Sequence, residues 1–93
     1  MPAASRATIL EHAAKLLEDR MPQYIALCTK EAGKTIPDGI AEVREAVDFL
    51  RYYAAEAERL TPHAPLGVVT CISPWNFPLA IFTGQVAAAL ATG

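Results

Sequence analysis

Ser73-Pro74-Trp75-Asn76-Phe77-Pro78 is the stretch of this 93-residue chain whose residue types are best suited to chemistry. The Asn76 carboxamide offers N–H donors without a charge. That suits holding a carbonyl oxygen as it becomes an oxyanion, an interaction whose loss costs about 3–4 kcal/mol of transition-state stabilisation. Trp75 would supply a flat aromatic wall beside it. The same residues would equally make a rigid double-proline turn in which Asn76 caps the following helix and Trp75 fills core. Residue types alone leave both uses open.

The other reactive residue types point to packing. Gly33-Lys34-Thr35 matches the end of a phosphate-binding loop, but Cys28 stands where that loop needs its first glycine, so Gly33 is expected to be a helix cap. His12 and His63 have no second Cys or carboxylate at ligand spacing, so no metal site is expected and both read as surface histidines. Cys28 falls on an apolar helix stripe and Cys71 on an apolar run, where burial would raise a thiol's pKa and suppress the thiolate.

The elements that must position Asn76 follow from periodicity. Over residues 5–20, Ile9, Leu10, Ala13, Leu16 and Leu17 recur at helical spacing opposite Glu11, Lys15, Glu18 and Asp19, which predicts an amphipathic helix. Pro22 suits the first turn of a second helix with Tyr24, Ile25, Leu27, Cys28 and Ala32 on its apolar stripe, closed by Gly33. Pro37 opens a third, on which Ile40, Val43, Val47, Leu50, Ala54 and Ala57 form a narrow seam. Asp38 near its start and Arg59 near its end both suit the helix dipole. After the proline loop Thr61-Pro62-His63-Ala64-Pro65, the run Leu66-Gly67-Val68-Val69-Thr70-Cys71-Ile72 reads as a short buried strand of a parallel sheet. Pro78 would then open a last helix, apolar nearly all round and ending at Gly93. Strand, turn and helix would form half of a βαβ unit, with Asn76 at the C-terminal end of the strand where open α/β sheets bind ligands.

Charge bounds the function classes. Lys+Arg 8 against Asp+Glu 10 leave a net charge of −2 and no basic run, so no nucleic-acid surface is expected. Every charged residue lies at or before Arg59, which makes residues 60–93 an uncharged stretch. A membrane span needs about 20 consecutive apolar residues. Pro74, Asn76 and Pro78 break the stretch, and the helix candidate left after Pro78 contains the polar Gln85 and has no Lys or Arg flank, so burial in a larger protein is expected instead. The two distant cysteines and the absence of an apolar leader at the N-terminus point to a reducing cytoplasm.

Ile72-Ser73-Pro74-Trp75-Asn76-Phe77-Pro78-Leu79 and the Ala-rich segment after it resemble the motif of the NAD(P)-dependent aldehyde dehydrogenase superfamily. The stretch from Ala26-Leu27-Cys28 to Gly33-Lys34-Thr35, then Ala41-Glu42-Val43-Arg44-Glu45-Ala46-Val47-Asp48-Phe49 and Arg51-Tyr52-Tyr53, together with Cys71-Ile72-Ser73 and Phe82-Thr83-Gly84-Gln85-Val86, are most similar to one branch. That branch is the L-glutamate γ-semialdehyde (1-pyrroline-5-carboxylate) dehydrogenase module of bacterial bifunctional proline utilisation proteins. The resemblance implies an α/β fold with a Rossmann-like cofactor domain, of which residues 1–93 are an incomplete N-terminal part. Residues 5–60 would be its outer helices and 66–93 its first strand, turn and helix. It also implies that Asn76 stabilises the oxyanion, that Ile72, Ser73, Pro74 and Trp75 line the cofactor, and that the whole enzyme is a homo-oligomer using NAD, with NADP open. The family's nucleophilic cysteine, general-base glutamate and glycine-containing cofactor loop lie in later sequence. The connection from Leu60 to Leu66 is shorter than in the branch pattern, at a place where sheet-edge and oligomer contacts would form.

The expectation is therefore a piece of an enzyme that oxidises L-glutamate γ-semialdehyde to L-glutamate in proline catabolism. By itself it would be inactive and would bind no cofactor tightly; its partners are the remaining polypeptide and a small aldehyde. A related dehydrogenase of another substrate class is one alternative. A non-catalytic interaction module or gene remnant, docking through the seam of the third helix and the uncharged tail, is a second; a membrane-associated tail is a third.

Overall fold

The computed structural model describes residues 1–60 and 62–93 and contains four helices among them: α1 (Ala3–Asp19), α2 (Met21–Ala32), α3 (Ile36–Arg59) and α4 (Ala80–Thr92). Thr61, part of the proline loop, lies outside the described residues. Helix α2 ends where the sequence places its stop: Gly33 is left-handed at φ 65°, and the Lys34 N–H reaches back to the Cys28 carbonyl at 3.3 Å. A side chain at that φ would strain the backbone. Helix α3 starts on Thr35, whose Oγ1 accepts the Asp38 N–H at 3.3 Å, so the first turn has both a cap and an acidic residue.

Helix α3 is the centre of the molecule, with α1 and α4 packed along it and α2 against its N-terminal part. One core joins Ala7, Leu10 and Ala14 of α1 to Val43, Val47, Leu50, Ala54 and Ala57 of α3 and to Ala87 and Ala91 of α4. The expected seam of α3 is buried except at Ile40, which is exposed. On α1 the buried face is rotated from expectation: Ile9 and Leu16 are exposed while the small Ala7 and Ala14 are buried. Close helix approach selects small residues at the contact line, and a stripe read from large side chains alone misses it. Helix α4 buries Ala80, Gly84, Ala87 and Ala91 and leaves Phe82 and Leu90 outside, so it is covered on one face instead of on most sides. Gly84 is required there, since a Cβ would lie 2.8 Å from Cδ2 of Phe49.

The expected strand over 66–72 is absent: among the described residues there is no strand. A strand exists only through pairing with another, and among the described residues no segment pairs with this one. Leu66, Val68, Val69 and Ile72 are accordingly exposed. The last helix begins at Ala80, later than Pro78. No described helix is long and apolar enough to cross a membrane.

Candidate functional site

Three polar contacts hold the segment before α4, and each uses a side chain distant in sequence. The N–H groups of Leu79 and Ala80, unpaired within the helix because they lie at its start, donate to Oε2 of Glu42 at 3.1 and 2.8 Å. Glu42 lies on α3 and is only 2% exposed. A buried carboxylate needs compensation, and here it receives two N–H bonds, the positive end of the α4 dipole, and Lys34 Nζ at 3.4 Å from Oε1. Lys34 also sits over the Phe77 ring, 4.5 Å from its centroid, in a cation–π contact. The third contact is the Gln85 amide of α4, which donates to the Ile72 carbonyl at 2.8 Å. Between these anchors the chain turns, with the Phe77 N–H donating to the Pro74 carbonyl at 3.3 Å.

The residues expected to form the site lie along this turn. Asn76 is exposed, and its side chain makes no hydrogen bond among the described residues. Trp75 is 80% and Ile72 81% exposed, Pro74 is exposed, and Ser73 is half-buried. Of the structural use set out above, the turn is present, but the cap by Asn76 and the core role of Trp75 are not. Glu42, not Asn76, caps α4, and Trp75 fills no core. A turn and a helix follow as expected, but Asn76 comes after a segment without regular secondary structure instead of a strand end.

Cys28 is buried under the same corner; burial first, and the negative charge of Glu42 second, push its thiol up from the ordinary cysteine value, against the pull of Lys34. A thiol held protonated is a packing residue, as expected. Cys71 is half-buried rather than enclosed in a sheet. His12 and His63 are both exposed, and the described residues hold no cluster of His, Cys, Asp and Glu able to bind a metal.

Glu42, Lys34 and Gln85 are the functional-site residues that sequence reasoning missed. One signal was available for Glu42: it adjoins Val43 on the buried side of α3, and a carboxylate on an apolar face requires a partner. Nothing in the sequence pairs it with the backbone of Leu79 and Ala80. For Lys34, dismissing the phosphate loop left the lysine without an assigned contact.

The turn and the residues leading into it leave a carboxamide with free donors, an indole and an aliphatic side chain exposed. Uncharged donors can bind a developing oxyanion, and exposed apolar faces can lie against the flat rings and ribose of a dinucleotide. The chain is 62% identical over 95 residues to the bifunctional protein PutA of Salmonella typhimurium, covering 99% of this chain and 7% of that protein. It is 41% identical over 103 residues to a 1-pyrroline-5-carboxylate dehydrogenase of Anoxybacillus flavithermus, covering 95% of this chain and 20% of that one. A solved structure of proline utilization A with proline bound in remote sites superposes over 100% of this chain and 11% of its own, with a TM-score of 0.88 at 47% identity. The chain therefore spans a small part of the relatives it matches. The aldehyde dehydrogenase family pattern matches residues 1–93, and the chain belongs to that family.

Proposed function

We propose that these residues act within a longer NAD-dependent aldehyde dehydrogenase that oxidises L-glutamate γ-semialdehyde to L-glutamate. The 62% identity to a PutA protein over nearly the whole chain carries this reading, supported by the likeness to a 1-pyrroline-5-carboxylate dehydrogenase. Asn76 is the oxyanion-binding residue. Its carboxamide is uncharged, exposed and uncommitted to other hydrogen bonds, the state required of a donor that must meet the substrate oxygen when a thiolate elsewhere in the polypeptide has added to the aldehyde. Its N–H donors strengthen their bond as negative charge builds on that oxygen, and the effect falls on turnover.

Ile72, Ser73, Pro74 and Trp75 line the cofactor. Their uncharged, largely exposed surface fits a dinucleotide's rings and ribose better than its pyrophosphate, for which this segment has no cation or helix N-terminus to spare. When bound there, NAD supplies the hydride acceptor. The 93 residues alone are expected to be inactive, because Cys28 is buried with its thiol pushed up and the family's nucleophilic cysteine is expected in later sequence.

The decisive experiment is Asn76→Ala in the complete dehydrogenase, assayed by NADH formation. Turnover should fall about 10²–10³-fold. Unchanged turnover would remove the oxyanion assignment. A preference for a different aldehyde over glutamate γ-semialdehyde in the parent enzyme would remove the substrate assignment and leave the mechanism standing.

A further inference from the structure

A donor that must meet an oxyanion within a few tenths of an ångström cannot sit on a loose turn. Asn76 contributes nothing to its own placement, since its side chain is unbonded among the described residues. The turn is fixed instead on its C-terminal side by two residues from around the start of α3. Glu42 takes both free N–H groups at the head of α4, and Lys34 bridges Glu42 Oε1 and the face of Phe77, the residue next to Asn76. Both clamping side chains are shielded from water, at 3% and 17% side-chain exposure for Glu42 and Lys34, so the contacts are only weakly screened.

We propose that Glu42, with Lys34 as its partner, is a positioning residue that sets where the Asn76 carboxamide stands; this rests on the oxyanion role given to Asn76 above. A carboxylate is needed, and a side chain of the same shape is insufficient. Glutamine at position 42 would keep the volume, but its amide donors would face either the Lys34 ammonium or the two backbone N–H groups. Donor would then meet donor on one side of the clamp.

The test is a four-enzyme comparison in the complete dehydrogenase: parent, Glu42→Gln, Asn76→Ala and the double variant. Glu42→Gln is expected to lower kcat about tenfold while KM for the cofactor stays within about twofold, and to lower it no further in the Asn76→Ala background. In a crystal structure of the Glu42→Gln enzyme the Asn76 carboxamide should be displaced by about 0.5 Å or more. Lys34→Met should give a smaller fall of the same kind, and it replaces Glu42→Gln in the cycle if that variant does not fold. An unchanged kcat in these variants, or an equal fall with and without Asn76, would overturn the proposal and leave the clamp as a stability contact. Failure of the oxyanion reading shows separately, as an unchanged kcat in Asn76→Ala. The position of the Asn76 carboxamide in the Glu42→Gln crystal then still decides whether Glu42 positions the turn.

Discussion

Residues 3–59 and residues 62–79 both carry many apolar side chains, yet they use them in opposite ways. In the first region each helix turns one face inward and, Glu42 apart, its charges outward, so Leu10, Val43, Val47 and Leu50 are buried within the chain itself. In the second, Leu66, Val68, Ile72 and Trp75 are exposed, and apart from the Phe77 ring under Lys34 and the Leu79 side chain against the core, the polypeptide is held through backbone groups: the Ile72 carbonyl and the N–H groups of Leu79 and of Ala80 just after it. The anchoring side chains come from elsewhere, Glu42 and Lys34 from the charged region and Gln85 from α4. Holding a segment by its main chain leaves its side chains free for other contacts. A binding edge needs that arrangement, whereas a core element does the reverse.

The largest effect that could break this contrast compares two apolar truncations. Leu50→Ala removes a side chain that is 5% exposed, between α1 and α3, and should lower unfolding free energy by about 2–5 kcal/mol. Val68→Ala removes one that is wholly exposed and should stay within about 0.5 kcal/mol. Denaturant unfolding of the 93-residue chain, followed by helical circular dichroism, measures both. Comparable losses would mean that residues 62–79 are packed in solution, and the contrast would fail.

The same contrast explains what could be read from the sequence. The existence and type of all four helices, the cap at Gly33 and the seam of α3 depend on spacing within one segment, and local spacing is written in the chain. The strand over 66–72 failed because β-branched composition expresses only a preference for an extended backbone, while a strand also needs a neighbour. Exposure of Ile9, Leu16, Leu27 and Ile40 was missed because the faces were weighted by side-chain size. Asn76 stood out by type and by family resemblance. Glu42 did not, because its partners are two backbone N–H groups, and a backbone donor looks the same at every residue.

A medium effect concerns the helix that follows the second region, where α4 packs on α3 of the first. Gly84→Val would place its Cβ 2.8 Å from Cδ2 and 3.0 Å from Cγ of Phe49. The clash extends to the base of the ring, so rotation about the side chain does not relieve it. Overpacking of this kind costs about 1–3 kcal/mol, against a few tenths regained from leaving glycine in a helix. A lowered Tm is expected, with the added loss relieved when Phe49→Ala removes the clashing atoms: the double variant should be no less stable than Phe49→Ala alone. An equal loss from Gly84→Val with and without Phe49→Ala would place the strain elsewhere.

The smallest effect belongs to the charged region alone. Arg51 of α3 grips Glu18 of α1 with Nη1 at 2.9 Å from Oε1 and Nη2 at 2.6 Å from Oε2, and Glu11 stands 3.9 Å from its Nε. The hydrogen bonds from Arg51 hold the Glu18 carboxyl below the ordinary carboxylate range. A carboxyl whose folded pKa is depressed contributes stability above its unfolded pKa and loses it as pH falls through the folded one. The Tm difference between the parent chain and Glu18→Gln should therefore be constant near neutral pH and close only as acid takes pH below the ordinary carboxylate range. Because both side chains are solvent-exposed, the difference should be small and should shrink in high salt. No such acid dependence is expected from residues 62–79, which contain no carboxylate. A Glu18→Gln difference that persisted unchanged into acid would show that α1 and α3 are joined by packing alone.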